Sequence, residues 1–288
     1  FGAALAAYQA PAQAPAPTPT AAQLEVVKLA DNLFVITSST PGNTATFSGG
    51  NVSVFITDAG VTLVDTKLAA WGQALLDKVK SLTPKPVTTI INTHTHGDHT
   101  GNNDKFGKVE VIAHENTRAN MAKMPAFAGD KAQFLPSKTY ATTWTQGKGH
   151  DQIELRYFGA AHTSGDTVVV FPGLRVAQMG DMFAWKDAPL CDRNNGGSCL
   201  EYPKTVAAAA ASLKNIDVVI PGHAAMMKVS DVTEYGRFMA DLVASGQAAK
   251  KAGKTVDEAF AAFSLAKYPG YKNDRVKGAI QVVYDETK

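Results

Sequence analysis

Apolar and polar positions along the chain fall into short blocks of two kinds. Residues 33–37 (Leu33, Phe34, Val35, Ile36, Thr37) and 51–56 are rich in β-branched and aromatic side chains and predict strands. Val61, Thr62, Leu63, Val64 and Asp65 predict a third strand after the turn signal Asp58-Ala59-Gly60. Over residues 71–82 the apolar positions Leu75, Leu76, Val79 and Leu82 recur at helical spacing and stop before Pro84. Residues 87–91 and 109–113 predict two more strands, the second followed by a polar helix start at His114-Glu115-Asn116. The style then begins again. Residues 153–158, 167–171 and 174–179 predict strands, 202–213 an Ala-rich helix, 218–220 a short strand and 232–249 a helix. Two rounds of strands followed by helices predict an α/β chain in which two sheets pack together with helices outside.

Composition narrows the functional classes. A chain of 288 residues with 45% hydrophobic and 19% charged residues has the make-up of a globular protein with a sizeable core. The formal net charge of +2, with no run of Lys and Arg, predicts no nucleic-acid partner. There is no apolar stretch of about 18 residues, so no membrane-spanning helix is expected. Residues 1–7 are small and apolar and residues 10–22 are an Ala/Pro/Gln/Thr stretch. That suits the tail of a cleaved secretory signal peptide followed by a disordered linker, with a plain Ala/Pro extension as the alternative. Residues 1–23 are therefore set apart from a domain over 24–288, and a periplasmic or secreted protein is expected. Cys191 and Cys199 are the only cysteines, and their spacing excludes a CxxC motif. They are either a small-loop disulfide, which an oxidising compartment would permit, or two free thiols. Residues 39–50 read as a mobile loop of the kind that often serves function.

Chemistry concentrates at Thr93-His94-Thr95-His96-Gly97-Asp98-His99-Thr100-Gly101, which holds three of the seven histidines. Alternate residues of an extended chain point the same way, so His94 and His96 can reach one ion. If the chain turns into a helix near Asp98, that carboxylate and His99 face a neighbouring ion. Imidazole nitrogen and carboxylate oxygen are zinc-type ligands, and a cluster without cysteine argues against iron–sulfur. An isolated His-x-His would more often be a surface accident, but three histidines and an aspartate at the end of a β-rich run are not readily explained that way.

The segment resembles the His-x-His-x-Asp-His signature of the metallo-β-lactamase superfamily, and later motifs follow in that family's order. His162-Thr163-Ser164-Gly165-Asp166 is similar to its third-histidine motif, Gly180-Asp181 to its bridging-carboxylate motif, and Pro221-Gly222-His223 to its last-ligand motif. The resemblance implies a four-layer αββα sandwich of two β-sheets with outer helices. It implies two Zn2+ per chain: His94, His96 and His162 on the first, Asp98, His99 and His223 on the second, and Asp181 bridging both. Small residues before His162 and His223 (Ala161, Gly222) would let the backbone approach a crowded centre. Asp65 resembles the family's buried aspartate beneath the metals, where it either orients a ligand or only caps the next turn. His114 is expected to be structural and His150 exposed.

The chemistry so implied is hydrolysis of a small-molecule amide or ester by a metal-bridging hydroxide, with Asp98 as the catalytic residue that orients it and shuttles a proton. Ser164 is expected to be a loop residue rather than a nucleophile. True β-lactamases of the superfamily carry cysteine or serine where Asp181 stands. A bridging aspartate resembles the glyoxalase II and lactonase branches instead. Among cyclic substrates a β-lactam or a lactone therefore stays open. A glyoxalase II-like thioesterase, a mononuclear-iron persulfide dioxygenase-like enzyme and a non-catalytic binding protein are the alternatives. The run Gly196-Gly197-Ser198-Cys199-Leu200-Glu201-Tyr202-Pro203 resembles a pattern of bacterial hydrolases of mixed substrate, or is simply a Gly-rich turn into a helix. Phe47, Trp185 and Tyr202 are candidate pocket walls, each with core packing as its alternative.

Overall fold

The computed structural model describes residues 18–37 and 46–288. The proposed signal-peptide remnant falls largely in residues 1–17, and most of the expected 39–50 loop in 38–45, outside the described residues. The first described element is a single 3-10 turn at Ala21–Gln23, ahead of a buried Leu24.

Seven strands make the first sheet, in sequence order across it: β1 (Val26–Ala30), β2 (Leu33–Ile36), β3 (Val52–Thr57), β4 (Gly60–Val64), β5 (Val87–Ile91), β6 (Glu110–His114) and β7 (Lys138–Tyr140). Strands β1 to β4 are antiparallel to their neighbours, and β4 to β7 run parallel. Helices α1 (Gly72–Leu82), α2 (Gly97–Thr100) and α3 (Glu115–Met121) lie in the connections. The second sheet has the order β12-β11-β10-β9-β8, from β8 (Thr143–Gln146), β9 (Ile153–Tyr157), β10 (Thr167–Phe171), β11 (Val176–Gly180) and β12 (Val218–Pro221). Only its β11–β12 pair is parallel. Helices α4 (Tyr202–Ser212), α5 (Val229–Lys251), α6 (Val256–Ala262) and α7 (Val276–Glu286) cover its outer face.

The layers follow from strand alternation. In β10, Val169 and Phe171 point between the sheets while Val168 and Val170 face the helices. In β3, Phe55 points between the sheets and Val52 and Val54 pack on Leu75 and Val79 of α1. Phe55 and Phe171 meet across the interface with ring centroids 5.1 Å apart. Each such buried side chain contributes roughly 1.5–3 kcal/mol by leaving water. The inter-sheet layer also holds a polar tie, Ser53 Oγ donating to Gln178 Oε1 at 2.5 Å. The four-layer αββα sandwich is thus as expected.

Topology also fixes where a site can form. Strands β4, β5 and β6 end at one rim of the first sheet, and β9, β11 and β12 end at one rim of the second. Residues just past the carboxyl ends of parallel strands converge on a crevice, where open α/β sheets bind ligands. Asp65 follows β4, His94 and His96 follow β5, His162 follows β9, Asp181 follows β11 and His223 follows β12.

Candidate metal centre

All seven expected ligand residues come together at this rim. Three overlapping triads have their ligand atoms within 4.8 Å of one another: His94, His96 and His162; Asp98, His99 and His223; and His94, His99 and Asp181. Asp181 Oδ1 lies 3.2 Å from His223 Nε2 and 3.3 Å from His99 Nε2, and its Oδ2 lies 3.7 Å from His162 Nε2. Asp98 Oδ2 is 3.3 Å from His223 Nε2. The expected close approach at Gly222 is present: a Cβ there would lie 1.9 Å from Asp181 Oδ1.

Hydrogen bonds outside the cluster decide which ring nitrogen faces inward. His96 Nε2–H donates to Asp192 Oδ2 at 2.7 Å, and His162 Nδ1–H donates to the Leu190 carbonyl at 2.6 Å. The inner nitrogens, His96 Nδ1 and His162 Nε2, then face each other as lone pairs 2.8 Å apart. Thr93 Oγ1 spends its single proton on Asp65 Oδ2 at 2.7 Å, so it accepts from His94 Nδ1–H at 3.0 Å. His94 Nε2 is left as a buried lone pair with no hydrogen-bond partner among the described residues. Three imidazole lone pairs converging in a buried space repel one another unless a cation sits between them, so the donor set fits a metal ion.

Asp65 is the common support. It is wholly buried, and it accepts from Thr93 N–H at 2.8 Å, from Thr93 Oγ1 and from His99 Nδ1–H at 2.8 Å. Of its two expected roles, the orientation of ligands is the one present, through both His94 and His99. Its backbone is in the left-handed region (φ 67°), which aspartate tolerates better than most residues.

Burial and neighbouring charges shift the groups of the cluster in opposite directions. Burial, reinforced by the neighbouring His99 and His162, holds His94 well below the usual histidine range, and burial pushes His162 down to about 4. Burial alone would raise Asp181, but His223 and His99 hold its carboxyl well below the usual range. His99 is held well above its usual range, because Asp181, Asp98 and Asp65 outweigh its burial.

The cluster forms the floor of a cleft of about 390 Å³. Phe47 and Trp185 flank His223, with ring centroids 5.4 and 5.3 Å from it. Pro189 and Leu190 also line the cleft, and Leu190 is half exposed. Arg275 is the one Lys or Arg among the described residues that line the cleft, and its guanidinium lies 4.6 Å over the Trp185 ring. Phe47 and Trp185 are thus walls. Tyr202 is core instead, wholly buried, with its hydroxyl donating to the Asp181 carbonyl at 3.0 Å. Ser164 is a loop residue, its N–H donating to Asn195 O at 2.9 Å. His114 caps α3 by accepting from Asn116 N–H and stacks on Tyr157, and His150 is exposed.

Three residues of the site's frame have no mark in the sequence: Asp192, Arg275 and Lys67. Lys67 is fully buried, its ammonium donating to Thr37 O, Ser48 Oγ and Gly50 O, each at 3.0 Å. Trp71 Nε1 donates to Phe47 O at 3.0 Å, so the same region seats the aromatic wall. Cys191 and Cys199 are joined as a disulfide.

Fold and site together define a sandwich protein with a histidine-and-aspartate metal centre at the shared rim of its two sheets. The family model of the metallo-beta-lactamase superfamily matches residues 45–223, and the chain belongs to that superfamily of hydrolytic enzymes. It is 24% identical over 178 residues to the metallo-beta-lactamase IND-1 of Chryseobacterium indologenes, covering 60% of this chain and 71% of that one. It is 34% identical over 100 residues to the 2,4-dinitroanisole O-demethylase subunit alpha of Nocardioides sp. (strain JS1661), covering 34% of this chain and 29% of that protein. Among solved structures it is similar to a metallo-beta-lactamase from Pontibacter korlensis, with TM-score 0.63, 23% identity, and 75% of this chain and 99% of that one covered. That likeness establishes the fold.

Proposed function

We propose that the chain is a hydrolase that holds two zinc ions and opens a small amide or ester, a β-lactam or a lactone. The observation that carries this is His94, whose Nε2 is a buried lone pair aimed into a seven-residue ligand cluster. His94, His96 and His162 would hold one ion, Asp98, His99 and His223 the other, with Asp181 between them. When bound, the ions supply an activated water near neutral pH and charge stabilisation for a developing oxyanion.

The protein's own residues do the rest. Asp98 opens onto the cleft, and its carboxylate stays ionised, since His99 and His223 outweigh the burial that would raise it. In this reading it accepts a hydrogen bond from water and passes a proton to the leaving group. Phe47 and Trp185 grip an apolar body against His223 and keep bulk water off the floor. Arg275 at the rim favours a substrate with a negative charge on the side away from the reacting bond. Asp181 in place of the β-lactamase cysteine or serine supports a lactone over a β-lactam, while the IND-1 likeness keeps the lactam in the screen. The disulfide supports an exported protein working in the periplasm or outside the cell.

Metal analysis and a hydrolysis screen over lactones, β-lactams and thioesters test this. About two zinc per chain and turnover that His96→Ala abolishes are expected. A single iron per chain, or full activity in His96→Ala, would overturn it.

A further inference from the structure

One loop holds both histidines that complete the His94 half of the centre. The Cys191–Cys199 bond closes it. Leu190, just before the first cysteine, accepts from His162 Nδ1–H, and Asp192, just after it, accepts from His96 Nε2–H. These two contacts are what turn the other nitrogen of each ring inward.

The loop is itself fixed to the ligand segment, backbone to backbone. Asp192 N–H donates to His162 O at 2.8 Å, Ser198 N–H to Ala161 O at 2.9 Å, and Ser164 N–H to Asn195 O at 2.9 Å. A Cβ at Gly197 would lie 2.2 Å from His162 O, so only glycine permits this approach. Within the loop, Asn195 Nδ2 donates to Asp192 Oδ2 at 2.6 Å and Asn194 N–H to Asp192 Oδ1 at 3.0 Å, which sets the carboxylate's direction. Both sulfurs are buried and pack in the core cluster with Ala161, Ala188 and Tyr202. The other half of the centre is supported from elsewhere: Asp65 orients His99, and His223 N–H donates to Ala184 O at 3.0 Å.

We propose that the disulfide-closed loop is a positioning device for the His94, His96 and His162 half-site, so that the affinity of that half for its ion depends on Cys191–Cys199 and on Asp192. It rests on the ligand assignment proposed above. Without the bond the loop gains conformational freedom that ion binding must remove again, and Asp192 and the Leu190 carbonyl cease to be aimed before the ion arrives. Loss of such outer partners typically weakens metal binding by about 10–100-fold.

The test compares the wild-type chain with Asp192→Asn and with Cys191→Ser/Cys199→Ser. Zn2+ is titrated against a chromophoric chelator, and urea unfolding of the metal-free proteins is followed in parallel. In both variants one of the two binding steps should weaken by about 10–100-fold while the other keeps its wild-type affinity. Asp192→Asn leaves the disulfide intact, so it remains informative if the double variant folds poorly. Two unchanged steps would overturn the proposal. So would a parallel weakening of both steps that tracks lost stability, since that marks a general structural role. A wild type that binds fewer than two zinc ions would instead sink the ligand assignment, and this inference with it.

Discussion

Replacing Asp65 with asparagine should disarm the centre from beneath while leaving the protein folded. The shape is conserved, and asparagine also accepts the left-handed backbone found there. What changes is one oxygen for an NH2. Asp65 receives three donors, Thr93 N–H, Thr93 Oγ1–H and His99 Nδ1–H. With an amide, at least one donor meets another donor, and the remaining bonds lose their charge. Hydrogen bonds to a charged group contribute about 1.5–3 kcal/mol, so the loss of one and weakening of the others should cost about 2–4 kcal/mol of unfolding free energy. That lies below the roughly 5–15 kcal/mol typical of a domain. The Thr93 backbone N–H cannot turn away, so the amide oxygen stays with it and the NH2 takes the Oδ2 position, where it faces Thr93 Oγ1 and His99 Nδ1 together. The hydroxyl then turns its proton to His94 Nδ1 and the His94 proton moves to Nε2, while the His99 ring loses its acceptor. Metal affinity should fall by at least about 10–100-fold, or about 1.4–2.8 kcal/mol. Chelator competition with zinc, with urea unfolding of the metal-free protein alongside, separates the two effects. Zinc affinity equal to wild type, or lost stability with unchanged affinity, would refute this account of Asp65.

Lys67 yields a pH prediction. Burial pushes its ammonium down to about 7, despite the nearby Asp98, so between pH 7 and its ordinary 10.5 the unfolded chain binds a proton that the folded chain has shed. Stability from this group therefore rises with pH across that window, by about 5 kcal/mol at most on an order-of-magnitude scale. Wild type minus Lys67→Met unfolding free energy should climb from pH 7 to 10, and parallel curves would exclude the effect. Arg275→Ala should raise KM about tenfold for an anionic substrate with little change in kcat, since the guanidinium is exposed and its interaction is screened. Arg275→Lys should recover part of that loss, and equal KM values for neutral and anionic substrates in the wild type would remove the basis for it.

Much of the fold was legible because a short run of β-branched and apolar residues is a local signal. Residues 51–56 and 167–171 carry it, and both became strands that are largely buried. Strands β7 and β8 carried too little of it. Lys138–Tyr140 and Thr143–Gln146 are three and four residues long, lie at sheet edges, and are mostly polar. The expected strand at 174–179 starts later, because Pro172–Leu174 forms a 3-10 turn and Arg175 sits in the left-handed region. Helix α7 did have a readable signal, with Val276, Ala279, Ile280 and Val283 at helical spacing and buried, yet no helix was expected there.

The site divides along the same line between local and long-range order. Ligand types cluster in residues 93–101, so half of the centre is visible as a string of letters. The frame is not, because each member acts on a residue far away in the chain. Asp192 reaches His96 across 96 positions and Asp65 reaches His99 across 34. Lys67 would be placed at the surface by its type alone. It is buried because Thr37 O, Ser48 Oγ and Gly50 O converge on one point, a fact of topology rather than of sequence neighbourhood. The ring tautomers belong to this second kind of information. His94 is a ligand candidate from its motif, but its lone pair faces inward only because Asp65 has already taken the Thr93 proton. A chain with the same motif and a different residue at 65 would keep the signature and lose the donor set, so the motif names the candidate ligands and the frame turns their lone pairs inward.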